Sequence, residues 1–156
     1  MRVRDAAASD VAFVAALARE AFARFGEYDS FIGEMLGDGA VARIAEEDGR
    51  PVGFALLLRL EPVDSFDLVA LAVAPDARRR GTGRALLEEA HACALAAAGI
   101  SAGAQVLLHV AEVNVPARSL FESAGYRFVA RDDGTYPNGQ RALTMERRLV
   151  RGKPVA

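Results

Sequence analysis

The pattern of apolar and polar residues in the first sixty positions predicts a strand, a helix and an antiparallel strand pair. Residues 2–4 alternate like a short strand, and apolar residues recur at helical spacing after Ser9, a residue type that favours the start of a helix. Residues 40–60 form two strand-like runs that flank Asp48-Gly49, a strong hairpin signal. Residues 26–38 have no regular period, and we expect a loop and a short helix there, over a cleft.

The rest of the chain alternates between buried-strand and helical patterns. An apolar run interrupted only by Asp67 stops at Pro75, as a central strand would. Glycine follows each of the two helical segments, where helices commonly end. The predicted elements are, in chain order, a strand over Phe66–Val73, a helix from Gly81-Thr82-Gly83 to Gly99, a strand over Val106–Val110, a helix from Pro116 to Gly125, and a hairpin of Arg127–Arg131 with Ala142–Leu149.

These elements indicate one domain of mixed α/β (α+β) class over residues 1–149 and a C-terminal tail over residues 150–156. The length of 156 residues is typical of a single domain. A formal net charge of −2 argues against a nucleic-acid partner. The single cysteine, Cys93, excludes an intramolecular disulfide and a cysteine-based zinc cage, and we expect no metal.

Two segments resemble membrane or export signals only superficially. Residues 91–111 carry no formal charge, but Gly99, Ser101 and Gly103 interrupt them, so we interpret them as a helix end, a turn and a buried strand. The apolar run near the N-terminus is too short and wrongly flanked for a signal peptide. We therefore expect a cytoplasmic protein with no membrane partner.

The most informative stretch, residues 71–87, reads as a strand, a basic loop with glycines and a helix start. Glycine lets backbone N–H groups approach an anion, and a helix N-terminus adds about half a positive charge. The arginines at 78–80 and 84 supply further charge-assisted bonds, so the stretch predicts a phosphate or pyrophosphate site. A dinucleotide fingerprint is excluded because Leu86 stands where its third glycine belongs, and the chain has no Gly-Lys-Ser/Thr of a P-loop.

Two motifs in this chain resemble a known family. Arg78-x-x-Gly81-x-Gly83, after a strand that ends Leu71-x-Val73-x-Pro75, resembles the acetyl-CoA motif of the GNAT superfamily of acyl-CoA-dependent N-acetyltransferases. Asn114-x-x-Ala117-x-x-Leu120-Phe121-Glu122-x-x-Gly125-Tyr126 resembles the second motif of that family. The order of the predicted elements agrees as well, so the resemblance covers residues 1–149.

The resemblance implies a mixed, mostly antiparallel sheet with helices on both faces and a splayed pair of parallel strands, 66–73 and 106–110, that admits acetyl-CoA. Backbone groups of the first strand would pair with the pantetheine arm, and loop amides would hold the pyrophosphate. Asn114 would contact the pantetheine or cap its helix. The cofactor-binding positions that the resemblance implies are Leu71, Val73, Arg78, Arg79, Arg80, Gly81, Thr82, Gly83, Arg84, Asn114 and Phe121.

Phe121 departs from the pattern of the family. Many members carry a tyrosine there that protonates the leaving CoA thiolate, and phenylalanine has no proton to give. A positioned general acid is typically worth about 10²–10⁴ in rate, although a thiol with an ordinary pKa of about 8.5 leaves tolerably well as the thiolate. Tyr126, Tyr136 and Ser119 stay open as substitutes or as structural residues.

His109 and Asp67 are the candidate catalytic residues for moving the amine proton. His109 lies on the second splayed strand, where relatives that acetylate N-terminal amines commonly carry a catalytic glutamate, and imidazole titrates near neutral pH. Asp67 lies on the first splayed strand, at another position where relatives place an acid. The alternatives are a core histidine and a surface acid. Glu112 is a third choice, and His91 is expected to be structural.

We therefore expect an N-acetyltransferase that moves an acetyl group from acetyl-CoA directly to a primary amine, on a small molecule or at the α-amine of a peptide or protein. Residues 27–67 contain ten acids and three arginines, a net charge of −7, which suits a cationic amine or is a solvated face. The alternative, motivated by Phe121, is an acetyl-CoA-binding sensor or binding module with little or no catalysis. A homodimer, common among similar proteins, stays open.

Overall fold

The computed structural model describes residues 1–22, 40–60, 64–98, 103–135, 139 and 141–150. Within these ranges the chain forms seven strands and three α-helices. They are β1 (Arg2–Asp5), α1 (Val11–Phe22), β2 (Val41–Glu47), β3 (Arg50–Leu60), β4 (Ser65–Val73), α2 (Thr82–Ala97), β5 (Gly103–Ala111), α3 (Val115–Ser123), β6 (Arg127–Thr135) and β7 (Arg141–Val150).

The seven strands form one sheet in the order β1-β2-β3-β4-β5-β7-β6. Every neighbouring pair is antiparallel except β4 and β5, which run parallel. The last strand lies between β5 and β6, because the C-terminal hairpin folds back and places β7 against β5. The mixed, mostly antiparallel sheet expected from the sequence is confirmed.

Helices cover both faces of this sheet, which also confirms the prediction. On one face α1 packs against β2, β3 and β4. This core contains Val14, Leu17 and Ala18 of the helix and Ile44, Phe54, Leu56, Ala70 and Ala72 of the strands. On the other face α2 and α3 pack against a larger core that contains Leu86, Leu87, Phe121, Leu108, Val110 and Met145. We call these the α1 face and the α2/α3 face of the sheet.

Local signals account for the β2–β3 turn and for the start of α1. Asp48 and Gly49 have φ angles of 51° and 73°, the two left-handed residues that a type I′ hairpin requires. Ser9, expected to cap α1, lies inside the 3-10 turn Ala8–Asp10 rather than directly before the helix. The Asp10 carboxylate accepts the Ala7 N–H at 2.7 Å and pairs with Arg4 at 2.8 Å, and these contacts hold the turn that precedes α1.

β4 contains a bulge at Val69. Leu68 pairs with Leu57 of β3 and Ala70 with Leu56, so Val69 has no partner in β3. An inserted residue reverses the side-chain alternation of the strand, and Leu68 accordingly enters the α2/α3 core whereas Ala70 enters the α1 core.

The parallel pair β4–β5 separates after only three residue pairs. Ser65, Phe66 and Asp67 pair with residues 105–107, and the remaining residues of both nine-residue strands are unpaired with each other. The expected splay between these strands is therefore confirmed, and it begins at Asp67.

Some expectations concern residues outside the described ranges: the loop over 26–38, the helix stop at Gly99, Tyr136, and the tail beyond Val150. The end of α2 at Ala97 fits a stop near Gly99, and β7 continues to Val150, one residue past the expected domain end. None of the helices described above is both long and apolar enough to cross a membrane.

Candidate active site

A cleft opens between β4 and β5 beyond Asp67 and Leu107, the last residues that pair. Its cavity opens to solvent, measures about 640 Å³ with the open mouth included, and is lined by residues 68–71 of β4 and 108–111 of β5. The rest of the lining comes from the helices and the loop before α3: Phe22, Asn114, Ala117 and Phe121. Because Phe22 belongs to α1 and Phe121 to α3, the cleft has a wall on each face of the sheet.

The backbone of β4 turns hydrogen-bonding groups toward this cleft at Leu71 and Val73. Ala74 N–H donates to the Val52 carbonyl at 2.7 Å, so Gly53 and Val73 form a pair whose own groups point away from β3. These groups alternate along a strand, so those of Leu71 point the same way, to the side where β5 has separated. An extended, amide-bearing ligand can pair with this edge as a further strand would.

α2 begins beside the same cleft, because Gly83 in its first turn lies against the side chains of Leu71 and Val73. The first amides of the helix have no acceptor within it. Gly81 precedes the helix with a φ of 80°, a left-handed conformation that glycine adopts without strain. Ala85 N–H bonds back to the Gly81 carbonyl at 3.0 Å and is the first in the helix to do so. The amides of Thr82, Gly83 and Arg84 therefore have no acceptor within the helix, and they suit an anion.

Hydrogen bonds hold three of the four arginines in this stretch: Arg78 and Arg80 in the loop, and Arg84 in the first turn of α2. The bonds run from Arg78 Nε to the Val73 carbonyl at 3.0 Å, from Arg80 to the Glu47 carboxylate at 2.8 Å and the Asp76 carbonyl at 2.7 Å, and from Arg84 to Ser123 Oγ at 2.5 Å. Thr82 is buried with its hydroxyl near the Ala77 carbonyl, so its amide is the group it offers to a ligand. Arg79 is exposed, with a φ of 65°. The loop is thus a braced, positively charged turn.

Asp67 and His109 lie on adjacent strands and on the same face of the sheet. The neighbours of each along its strand enter the α2/α3 core, so both side chains point to the α1 face. His109 is exposed and lines the cavity, whereas Asp67 is half-buried where the strands part. Burial raises the pKa of the Asp67 carboxyl, and the charge of His109 nearby lowers it. The structure therefore brings the two candidate residues together.

Asn114 caps α3: its Oδ1 accepts the Ala117 N–H at 3.3 Å. The residue also lines the cavity. The capping alternative weighed from the sequence is therefore the contact that the structure shows, and Asn114 has that role whatever else it contacts.

Phe121 is buried and lines the cavity, while Tyr126 lies behind it. The Tyr126 hydroxyl forms a buried hydrogen bond with His91 Nε2 at 2.7 Å. Burial raises the pKa of Tyr126, which makes it a poorer acid. Tyr126 is thus a structural residue rather than a substitute for the missing acid.

The other described candidates from the sequence do not line the cavity. Ser119 is exposed on α3 and Glu112 belongs to the turn before it, and neither lines the cavity. Cys93 is half-buried on α2, and burial raises the pKa of its thiol, so it is no candidate nucleophile. Among the described residues, no three histidine, cysteine or acidic side chains come together in a way that could hold a metal ion.

His91 predicts a loss of stability on acidification. Burial, aided by the charge of Arg147, lowers its pKa from 6.5 to about 4, so the folded protein keeps it neutral while the unfolded chain protonates it. As the pH falls from about 6.5 to 4, the free energy of unfolding should drop by roughly 3 kcal/mol from this residue alone. Urea unfolding at several pH values from 7 to 4.5 measures the slope of the free energy of unfolding against pH.

His91→Gln isolates this contribution, because glutamine keeps a polar side chain at this position but does not titrate. The pH slope of the free energy of unfolding should be flatter in His91→Gln than in the wild type. Equal slopes in His91→Gln and the wild type would show that His91 is not held neutral by the fold.

Comparison with known proteins identifies the family. Residues 38–128 match the acetyltransferase (GNAT) domain, which is more than half of the chain. No curated protein sequence matches significantly.

Solved structures agree in fold. A ribosomal-protein-alanine N-acetyltransferase of Brucella melitensis is 22% identical with a TM-score of 0.78, over 96% of this chain and 100% of that one. YncA of Salmonella typhimurium, solved with its cofactor acetyl-CoA, is 16% identical with a TM-score of 0.76, over 100% and 98%. A phosphinothricin acetyltransferase of Sinorhizobium meliloti, in complex with acetyl-CoA, is 19% identical with a TM-score of 0.74, over 96% and 88%.

Fold and site together define an acyl-transferase architecture, with a splayed parallel strand pair beside a glycine-bearing helix start. The chain belongs to the GNAT acetyltransferase domain family. The family resemblance and the fold class expected from the sequence are both confirmed.

Sequence reasoning missed three features of the site. The bulge at Val69 has no glycine or proline to signal it. The hydrogen bond between His91 and Tyr126 joins residues 35 positions apart, beyond the range of any local pattern. The helical spacing of apolar residues placed Phe22 on the apolar side of α1. That spacing does not indicate that Phe22, the last residue of α1, lines the cleft.

Proposed function

We propose that this protein is an acetyl-CoA-dependent N-acetyltransferase that transfers the acetyl group directly to a primary amine. The observation that carries the proposal is the position of the cleft: it opens between β4 and β5, the open amides of α2 adjoin one end, and Asp67 and His109 lie at the other.

Acetyl-CoA would lie along this cleft in an extended conformation. The pyrophosphate would accept hydrogen bonds from the amides of residues 79–84, with Arg79 as one of the exposed cations beside it. The pantetheine arm would pair with the backbone of Leu71 and Val73, and Asn114 and Phe121 would border it from the other side. The thioester would then lie where the strands part.

The transfer would proceed by attack of the amine nitrogen on the thioester carbonyl carbon. A backbone amide of β4 at the Val69 bulge would stabilise the oxyanion. The N–C bond forms, the C–S bond breaks, and His109, with Asp67 beside it, takes the amine proton directly or through a water. The thiolate then leaves and is protonated by solvent, since Phe121 offers no proton.

The acceptor side favours an amine of low basicity. Deprotonating an amine of pKa about 10.4 at pH 7 costs about 4–5 kcal/mol, whereas an α-amine of pKa about 8 costs about 1 kcal/mol. A site with one histidine and no tyrosine acid therefore suits an α-amine better than a lysine side chain. The Brucella melitensis neighbour, by its name, acts on an alanine of a ribosomal protein.

The acidic residues between positions 27 and 67 support a cationic acceptor less strongly than their number indicates. Five of these acids, Glu27, Asp29, Glu34, Asp38 and Glu61, lie outside the described residues. Of the other five, Glu46, Glu47 and Asp64 form ion pairs with arginines. Asp67 is the described acid that lies at the cleft, so the attraction for an amine is local rather than a broad negative rim.

Calorimetric titration with acetyl-CoA, with NAD as control, tests the binding half of the proposal. We expect micromolar affinity for acetyl-CoA and none for NAD. Thiol release with a panel of α-amines, peptides and small amines then tests transfer. Tight binding with no turnover on any amine would favour the sensor alternative that Phe121 motivates, and absent binding would overturn the proposal.

The cytoplasmic location, the single-domain boundary at residue 149 and the absence of a metal stay predictions, and the question of a homodimer stays open.

A further inference from the structure

A buried row of three rings lies behind the cleft, made of Phe121, Tyr126 and His91. The centroids of Phe121 and Tyr126 are 5.6 Å apart with their planes at 64°, an edge-to-face contact. Those of Tyr126 and His91 are also 5.6 Å apart, and the hydrogen bond described above joins them. All three side chains are 4–7% exposed, and of the three only Phe121 lines the cavity.

The backbone adds a second constraint on this row. Tyr126 N–H donates to the Phe121 carbonyl at 3.0 Å, which closes the turn that follows α3. Gly125 provides this turn with a φ of 92°, and Arg147 donates to the Ala124 carbonyl at 2.6 Å. Packing against Tyr126 therefore restricts the Phe121 ring, and hydrogen bonds fix the backbone that carries it.

The direction of the acyl chain follows from the proposed function, on which this inference rests. The amine approaches from the α1 face, where Asp67 and His109 lie, and the sulfur continues along the cleft toward the start of α2. The carbon chain beyond the carbonyl is then directed to the α2/α3 side of the cleft, where Leu68, Leu108 and Phe121 form the wall. These side chains are 4%, 1% and 7% exposed.

We propose that Phe121, braced by Tyr126 and His91, is the specificity-determining residue that limits the acyl group to the length of acetyl. Packed interiors resist extra methylenes unless side chains or backbone shift, and the brace prevents Phe121 from moving aside. Phe121 thus has a role of its own that does not require a hydroxyl. Tyr126 and His91 are positioning residues, because they act on the acyl group only through Phe121.

Equilibrium binding of CoA, acetyl-CoA, butyryl-CoA and hexanoyl-CoA tests the proposal without requiring turnover. The wild type should bind butyryl-CoA at least about tenfold more weakly than acetyl-CoA. Phe121→Ala should abolish or invert that ratio, whereas Phe121→Tyr should keep it. Phe22→Ala, which removes the same side chain from the opposite face of the cavity, should leave the ratio as in the wild type.

The positioning role of Tyr126 and His91 is tested by variants that leave Phe121 itself unchanged. Tyr126→Phe removes only the hydroxyl, and His91→Ala removes its partner; each should lower the butyryl-to-acetyl discrimination by about threefold or more. His91→Gln, which can still bond to the hydroxyl, should restore it. A loss of global stability alone would weaken all four ligands together and leave the ratio unchanged.

The outcomes separate this inference from the function on which it rests. If neither CoA nor acetyl-CoA binds, the proposed function fails, and the inference with it. If both bind but the ratio in Phe121→Ala equals that of the wild type, the inference alone is overturned. Phe121→Leu provides the same comparison with a smaller loss of core volume, should Phe121→Ala fail to fold.

Discussion

His109→Ala should lower the rate of acetyl transfer at pH 7 by about 10²- to 10⁴-fold, the usual contribution of a positioned general base. The side chain is exposed on the α1 face, lines the cleft and lies next to Asp67. Without it the amine must lose its proton to solvent before it attacks. Thiol release at saturating acetyl-CoA and a fixed amine concentration measures the loss.

Two controls identify the defect as one of proton transfer. The affinity for acetyl-CoA should change by less than about threefold, because the pyrophosphate and pantetheine contacts lie on other elements. The gap between variant and wild type should narrow from pH 7 to pH 9, since an α-amine with an ordinary pKa of about 8 becomes free base without help. Unchanged activity at pH 7 would move the role to Asp67, which Asp67→Asn then tests.

Gly81→Asp should weaken acetyl-CoA binding by about 100-fold or more while it leaves the fold intact. No heavy atom lies within 4 Å of the position of a Cβ at Gly81, and aspartate tolerates the left-handed φ of 80° better than most residues. The new carboxylate would occupy the amides at the start of α2 and repel the pyrophosphate. Two unit charges about 4 Å apart cost about 4 kcal/mol near a protein surface.

Gly81→Asn is the matched control, because asparagine has the same shape and the same tolerance for this backbone without the charge. Calorimetry should show the large loss in Gly81→Asp and a much smaller one in Gly81→Asn. Thermal unfolding of Gly81→Asp should show no loss of stability relative to Gly81→Asn, because a carboxylate is favourable at a helix N-terminus. Equal affinities for acetyl-CoA in the two variants would show that the pyrophosphate does not bind at α2.

Local chemistry made part of the fold predictable. The Asp48-Gly49 turn, the stop of β4 before Pro75 and the opening of α2 at Gly81 depend on backbone preferences of the residues themselves. The phosphate site expected at this loop depends on the same local chemistry, since glycine, arginine and a helix N-terminus favour an anion, and it stays a prediction. Ser9 shows the limit: it belongs to a residue type that favours a helix start, yet it lies inside a 3-10 turn rather than directly before α1.

Other features depended on pairings between distant residues. Nothing in the order of the strands along the chain requires β7 to insert between β5 and β6. The sequence left Tyr126 open as a substitute acid or as a structural residue, because a sequence motif does not tell whether a hydroxyl points to the cleft or to the core. The buried hydrogen bond with His91 decided for the structural role.

By itself, the sequence determined most of the elements, the basic glycine loop before α2 and the family, because each depends on residue types at short, fixed spacing. Tertiary structure alone decided that β4 bulges at Val69, that the strands part at Asp67, and that His109 joins Asp67 on one face while Phe121 lines the cleft from the other. The physical reason is that a one-residue change in register moves every later side chain to the opposite face of a sheet. Register is set by the packing of both cores at once, and no single segment of the chain contains that information.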